Sequence, residues 1–398
     1  MDIKITPAKL NGTIQAVSNK TYSHRLFIAS SLSENPTKIY MKNGSLDLSV
    51  TFDVLKNFGF RANKNGNEYL VTPKNSIEEK ISVDVHDSAP SLRFLLPILC
   101  ALSEQVTVVG EGKLLARSHA DLLYALKGVG FTSEKLPFTI KGRLNGGDYY
   151  VNEKLSMQFV SGLMLALPLL DKDSRIIFNG NVNTTNAQIT ALIMQDFGVE
   201  VVKEEKGYFI KGSQKYVAPQ SLNVEGDYAL SCVWKLCNKL GSNIKIENLN
   251  PNTLQSEKAR FDTIDKLFLE KTVNDIETDL LPCLIVGACF KKGETLLNIE
   301  KGVSNKELAK IYAFVNAINK LGGKVTVNGN AVLVRGVGEL KGGQMVDSYA
   351  DYRFAMALTV AGCFAKEPIK ILDAQVVLKH YATFFNDVNL LGGKTQVE

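Results

Sequence analysis

The sequence predicts an α/β protein of two similar domains, each made of three repeats of strand and helix. Length, composition and a recurring glycine predict it. At 398 residues the chain exceeds what one ordinary hydrophobic core accommodates. Hydrophobic residues make up 45% and charged residues 22%, the balance of a globular chain. The glycine is Gly59 in "LKNFGF", Gly130 in "LKGVGF", Gly198 in "MQDFGVE", Gly322 in "INKLGGKV" and Gly392 in "VNLLGGK". Positions 59, 130 and 198 are roughly 70 residues apart, as are 322 and 392, and the interval between 198 and 322 has room for two copies.

Each copy reads as an extended start, an apolar helix, a strand with a Gly or Asn turn, a second helix stopped by the glycine, and one or two closing strands. In the first, "DIKITPAKLNGTIQAV" runs into the helix of "SNKTYSHRLFIASSL". "DSAPSLRFLLP" opens the first helix of the second copy and "TSEKLPFTIKG" closes that copy; "KLSMQFVSGLM" and "VEVVKEEKGYFIKG" do the same in the third. The fourth starts at "VEGDYALSCVW", and its second helix, in "KARFDTIDKLFLEKTV", ends without a glycine. The fifth opens at "ETDLLPCLIVG" and closes with "KVTVNGNAVLVRG"; the sixth opens at "DSYADYRFAMALTV". The period exceeds that of common solenoids and the helices are apolar on more than one face, so burial inside a globule is expected.

Composition narrows the function classes. Lys and Arg number 46 against 41 Asp and Glu, a net charge of +5, and the cations are scattered, so no nucleic-acid partner is expected. A small anionic substrate suits the same balance. "MDIKITPAK" alternates polar and apolar residues, so no signal peptide is expected, and "FVSGLMLALPLL" falls short of the roughly 20 residues that cross a bilayer. A cytoplasmic protein without a membrane partner is expected. Six cysteines without a CxxC pair read as buried thiols, and four histidines without HxxxH or HExxH spacing imply no metal and no cofactor.

The chemistry-bearing residues sit where strands give way to helices. In "SNKTYSHR", Lys20 and Arg25 flank two hydroxyls at a helix start, where free N–H groups and the dipole favour anions. For one such start, plain capping is reading enough. Six in register, several carrying Arg, Lys or Asp, favour a shared cleft between the domains. Arg117 in "GKLLARSHADLL", Lys306 and Glu307 in "GVSNKELAK", and Lys379 in "VVLKHYATFF" would each pass as surface charges alone. Together with Lys20, Arg25 and Arg353 they give six cations beside two carboxylates, Asp279 and Glu307. Cations that clamp anions and acids that move protons fit group transfer between polyanionic substrates.

The whole chain resembles the enolpyruvyl transferases. "GTIQAVSNKTYSHR" is similar to the family's Gly-Thr-Ile…Ser-Lys-Ser…Asn-Arg opening, "LSMQFVSGLMLALP" to its Ser-Ser-Gln-Phe segment, "NKEL" to its Lys-Glu helix start and "YADYRFAMALTVAG" to its Asp-His-Arg-Met-Ala-Met helix. "ARSHADLLYALKGVG", "TDLLPCLIVGACFKKGET" and "LDAQVVLKHYATFF" carry the remaining likeness. The resemblance implies six βαβαββ repeats, three per domain, with a discontinuous domain of 1–17 plus 228–398 and an inserted domain of 18–227. It implies a monomer that needs no cofactor and moves the carboxyvinyl group of phosphoenolpyruvate to the 5-hydroxyl of shikimate 3-phosphate by addition and elimination. Lys20, Arg117, Gln158, Lys310, Arg353 and Lys379 would hold phosphoenolpyruvate. Thr21 and Arg25 would hold the shikimate carboxylate, Ser156 the 3-phosphate, with Gln158 between the substrates. Asp279 and Lys306 would face the attacking hydroxyl, Glu307 would exchange the methylene proton, and Lys20 completes the catalytic set.

The departures concern the acceptor and the donor pocket. The second serine of the family's phosphate site is Met157, its shikimate-contacting tyrosine is Asn186, and its Asn-Ala-Gly-Thr loop reads Asp87, Ser88, Ala89, Pro90. An arginine clamp is Lys310, which keeps the charge and loses the bidentate fork, and the His-Arg pair is Tyr352–Arg353. Two other readings stay open: a transferase using another acceptor, and a catalytically weak anion-binding relative. The branch acting on UDP-N-acetylglucosamine carries a loop cysteine that "VVGEGKLLAR" lacks.

Overall fold

A computed structural model describes residues 1–42, 45–57, 59–73 and 78–398. The chain divides into two compact units, Met1–Val17 with Glu225–Glu398, and Ser18–Val224. Among the described residues there are five four-stranded sheets and one two-stranded sheet. The third repeat shows how a sheet is made. Strand Asp148–Val151 pairs parallel with Ser174–Phe178, and the helix Met157–Ala166 connects them. The helix Thr185–Asp196 then leads to the hairpin of Val201–Glu204 and Gly207–Ile210, whose second strand pairs antiparallel with Ser174–Phe178. The second and fifth repeats use the same order. Parallel neighbours need a crossover, which the first helix supplies, whereas a two-residue loop suffices for the antiparallel closing pair.

Two repeats are completed across the points where the chain changes unit. Strand Ser221–Asn223 pairs parallel with Thr37–Tyr40, so the last segment of the Ser18–Val224 unit supplies the outer strand of its first repeat. Strand Ile3–Thr6 lies between Ile369–Leu372 and Lys394–Val397, with Ile3 opposite Ile371 and Ile5 opposite Ile369, so both chain termini share one sheet. Among the described residues the fourth repeat has only the parallel pair Asn11–Gln15 and Asn243–Glu247. Its second helix, Glu257–Leu269, passes straight into extended backbone at Glu270 with no glycine stop.

At Gly322 and Gly392 the backbone takes φ of +95° and +90° directly after a helix, a conformation that costs other residues a Cβ clash. The second repeat departs from the sequence pattern. There the helix Ala120–Ala125 ends at Leu126, Gly128 takes the left-handed conformation, and Gly130 opens a short strand. The first helices are wrapped on nearly all sides, as their apolar sequences require; Ala89–Leu102 and Leu281–Cys289 are buried along most of their length. Trp234, Phe314 and Phe384 anchor the core of the discontinuous unit, and Phe27, Phe94, Phe138 and Phe159 that of the other. All six cysteines are free and buried. Among the described residues no helix is long and apolar enough to cross a membrane.

Candidate functional site

In the Ser18–Val224 unit, close helix packing assembles the first group of side chains. Gly162, in the helix Met157–Ala166, lies so close to Phe94 that an added Cβ would stand 2.2 Å from its carbonyl oxygen. The missing side chain lets this helix meet Ala89–Leu102 at backbone distance. Gln158 sits one turn before Gly162 and Arg93 beside Phe94, so the two meet: Arg93 donates to the Gln158 side-chain oxygen at 3.1 Å. Ser156 occupies the N-cap position and makes no side-chain capping bond. Ser156, Arg117 and Arg93 line one cavity of about 110 Å³. Burial, with the charge of Arg117 adding to it, lowers the Arg93 pKa. His119, in the same wall, is lowered mainly by burial, so it is neutral at pH 7. Asp87 accepts from the Leu114 N–H at 3.2 Å and so holds the turn that precedes Arg117.

Lys20 and Arg25 differ in their surroundings. Lys20 begins the helix Lys20–Leu32, capped by the Asn19 side chain, which accepts from the N–H groups of Thr21 and Tyr22. The Lys20 ammonium pairs with Asp47 in the first turn of Leu46–Asn57, and Ser88 donates to the same carboxylate at 2.8 Å. Burial pushes the Asp47 pKa up, but the charge and hydrogen bond of Lys20 outweigh it and hold the carboxyl below its usual range. Arg25 is 0% exposed. It donates to Thr190 at 2.8 Å, the Thr21 carbonyl at 2.6 Å, Ser161 at 2.7 Å and the Asn186 side chain at 3.0 Å, and lies 4.9 Å over the Phe94 ring. All these acceptors are neutral, so burial lowers the Arg25 pKa to about 9.

In the discontinuous unit a second network forms around Asp351, whose side chain is 3% exposed. Asp351 caps the helix Tyr352–Cys363 by accepting from the Arg353 N–H. It also accepts from Arg353 Nε at 2.7 Å and from the Lys310 ammonium at 3.0 Å. Arg353 pairs in addition with Asp279, just ahead of the helix Leu281–Cys289, and Arg260 Nη1 approaches Asp279 at 3.5 Å while the same guanidinium pairs with Glu277. Lys310 lies one turn after Lys306 on the helix Asn305–Lys320, which places both on one face. Lys306 is exposed and pairs with no described residue. Glu307 sits in the first turn, where the Ser304 hydroxyl accepts from its N–H and stands 3.4 Å from its carboxylate. Lys379 ends the short helix Ala374–Lys379; its neighbour His380 stacks on Tyr352 with ring centroids 4.0 Å apart, which ties that segment to the Arg353 helix start.

The structure thus joins Asp279, Arg353 and Lys310 in one network, and Arg93, Arg117 and Ser156 around one cavity, with Gln158 bonded to Arg93. Among the described residues Lys306, Glu307 and Lys379 form no ion pair. Sequence reasoning missed Asp47, Arg93, Asp351 and Arg260 as members. Asp351 had a signal, being a helix N-cap ahead of an arginine in "ADYR"; the other three meet their partners over long sequence separations.

A family model described as EPSP synthase (3-phosphoshikimate 1-carboxyvinyltransferase) matches residues 5–277 and 268–388. The 3-phosphoshikimate 1-carboxyvinyltransferase of Clostridium novyi is 31% identical over 428 residues, covering 98% of each chain. That of Clostridium kluyveri is 32% identical over 418 residues, covering 98% of this chain and 97% of its own. An EPSP synthase structure from Acinetobacter baumannii superposes over 100% of both chains with a TM-score of 0.81 at 17% identity, which speaks for the fold.

Proposed function

The chain belongs to the EPSP synthase (3-phosphoshikimate 1-carboxyvinyltransferase) family, and on that premise we propose that it transfers the enolpyruvyl group of phosphoenolpyruvate to the 5-hydroxyl of shikimate 3-phosphate. The observation that carries the reading is the end-to-end likeness to curated relatives of that activity. The proposal takes 18–227 and 1–17 with 228–398 as the domains, the protein as a cytoplasmic monomer, and the following residues as the machinery.

Lys20, Arg117, Gln158, Lys310, Arg353 and Lys379 bind phosphoenolpyruvate. Thr21, Arg25, Ser156, Gln158, Asp279 and Lys306 bind shikimate 3-phosphate. The buried Arg25 supports an anion beside it, because a guanidinium desolvated among neutral acceptors gains most from a carboxylate. Asn186, bonded to Arg25, stands where the family pattern has tyrosine, so the same arginine fixes that departure in place.

The reaction needs a proton on the methylene carbon, which makes C2 electrophilic, and a base for the attacking hydroxyl. Glu307 delivers the proton; Asp279, with Lys306, receives the hydroxyl proton; the tetrahedral ketal then loses phosphate as Glu307 takes the methyl proton back. Asp279 is engaged by Arg353 and Arg260 in this structure. An anionic donor that recruits Arg353 therefore releases Asp279 from one of its two arginines, which couples donor binding to catalysis.

Phosphate release from the purified protein tests the reading. Release is expected only with both substrates, and is expected to fall at least about a hundredfold in Lys20→Met and Glu307→Ala. Release that needs no shikimate 3-phosphate, or that survives both substitutions, would count against it.

A further inference from the structure

One cavity of the Ser18–Val224 unit brings together basic and hydroxyl groups that the protein leaves without partners. It encloses about 110 Å³ and is lined by Arg93, Arg117, Lys154 and Ser156, with Asp121 as an acid in the same wall. Arg93 is spent on Gln158. The Arg117 guanidinium, the Lys154 ammonium and the Ser156 hydroxyl make no hydrogen bond and no ion pair with any described residue; only their backbones are engaged, the Arg117 N–H donating to the Leu114 carbonyl at 3.2 Å, the Lys154 N–H to the Asn152 side chain at 3.0 Å, and the Ser156 carbonyl accepting from the Val160 N–H at 3.1 Å. Three cationic side chains against one carboxylate leave a surplus of positive charge at this wall. A lysine with no anion to pair with, facing a cavity that holds an unpaired hydroxyl and arginine, matches a phosphate monoester.

Met157 begins the helix Met157–Ala166 and is half-buried, and a thioether donates no hydrogen bond. A phosphate resting on Ser156 therefore gets one hydroxyl donor from this pair of positions. Lys154 is two residues before Ser156 in the same cavity wall. Its ammonium offers three donors and a full charge, more than the hydroxyl that position 157 fails to supply.

We infer that Lys154 is a specificity-determining residue that binds the 3-phosphate of shikimate 3-phosphate together with Ser156, in place of a donor at position 157. The inference rests on the acceptor assigned under the proposed function. Its effect is selective: it acts on the phosphate and leaves the shikimate ring and carboxylate to Thr21 and Arg25.

Calorimetric titration of the full chain with shikimate 3-phosphate and, separately, with shikimate tests it, using wild type, Lys154→Gln, Lys154→Arg and Lys154→Gln with Met157→Ser. Each variant is first shown to melt with the wild type. Lys154→Gln is expected to weaken shikimate 3-phosphate about tenfold or more and shikimate less than about twofold. Lys154→Arg should keep most of the affinity, and Met157→Ser should restore part of the loss. Equal weakening of both ligands, or unchanged binding of both, would overturn the inference while leaving the acceptor assignment intact. A wild type that binds shikimate 3-phosphate no better than shikimate would overturn both.

Discussion

Asp351 shows what a single buried carboxylate does in this protein. It caps one helix, orients Arg353 through two bonds and receives Lys310 from another helix. Burial pushes its pKa up, but the hydrogen bonds and charges of Arg353 and Lys310 outweigh that and hold the folded value below the ordinary one. The sign of the pH effect follows. A depressed folded pKa adds stability that is complete above the unfolded value of about 3.9 and is lost as pH falls through the folded value. Asp351→Ala is expected to destabilise by about 3 kcal/mol, since it strands Lys310 and leaves the largely buried Arg353 with Asp279 alone. Asp351→Asn should flatten the stability–pH curve below about pH 4. Denaturant titrations across pH check both, and an unchanged acid limb in Asp351→Asn would contradict this account. At this scale the sequence showed which residues are charged, but only partly what they face. Lys20, Arg117 and Arg353 were legible as cations at helix starts. The carboxylates that meet Lys20 and Arg353 were less so, because Asp47 meets Lys20 from a different helix and Asp279 meets Arg353 across 74 positions.

Helix starts and one close crossing position the groups. The sequence made the starts legible, because a small polar residue ahead of an apolar run is both a cap and a boundary. Asn19, Ser88, Asp227 and Asp351 each cap with their side chains. The crossing was not legible, since nothing in "VSGLM" marks Gly162 as the point where two backbones touch. Gly162→Ala is expected to push the helices Ala89–Leu102 and Met157–Ala166 apart, cost about 1–3 kcal/mol and break the Arg93–Gln158 bond. A melting curve together with the KM for each substrate reads this. Wild-type stability and binding in the variant would mean that the close approach is not required. Ser304→Ala removes the cap of the helix carrying Lys306, Glu307 and Lys310. It should cost about 1 kcal/mol of stability, with a fall in kcat at saturating substrates; a kcat equal to wild type would separate Glu307 from its helix start.

For the whole molecule, the recurring glycine revealed the number of repeats before any contact was visible, because a helix stop is a local event. It did not reveal that the outer strands of two repeats come from distant segments, Ser221–Asn223 and Ile3–Thr6, since strand pairing across the chain leaves no local mark. Nor did it reveal that the fourth repeat keeps only two strands among the described residues. The Ser18–Val224 unit is continuous and carries its own core and its own completing strand. Residues 18–224 expressed alone are therefore expected to unfold cooperatively, and removal of 221–223 from that fragment should lower its stability. Phosphorus NMR of a mixture of the protein, phosphoenolpyruvate and shikimate 3-phosphate reads the transfer most directly. Loss of both substrate signals is expected, with equal growth of inorganic phosphate and of one new phosphomonoester, the 5-enolpyruvyl ether. Persistence of the shikimate 3-phosphate signal while phosphoenolpyruvate remains or hydrolyses alone would contradict it.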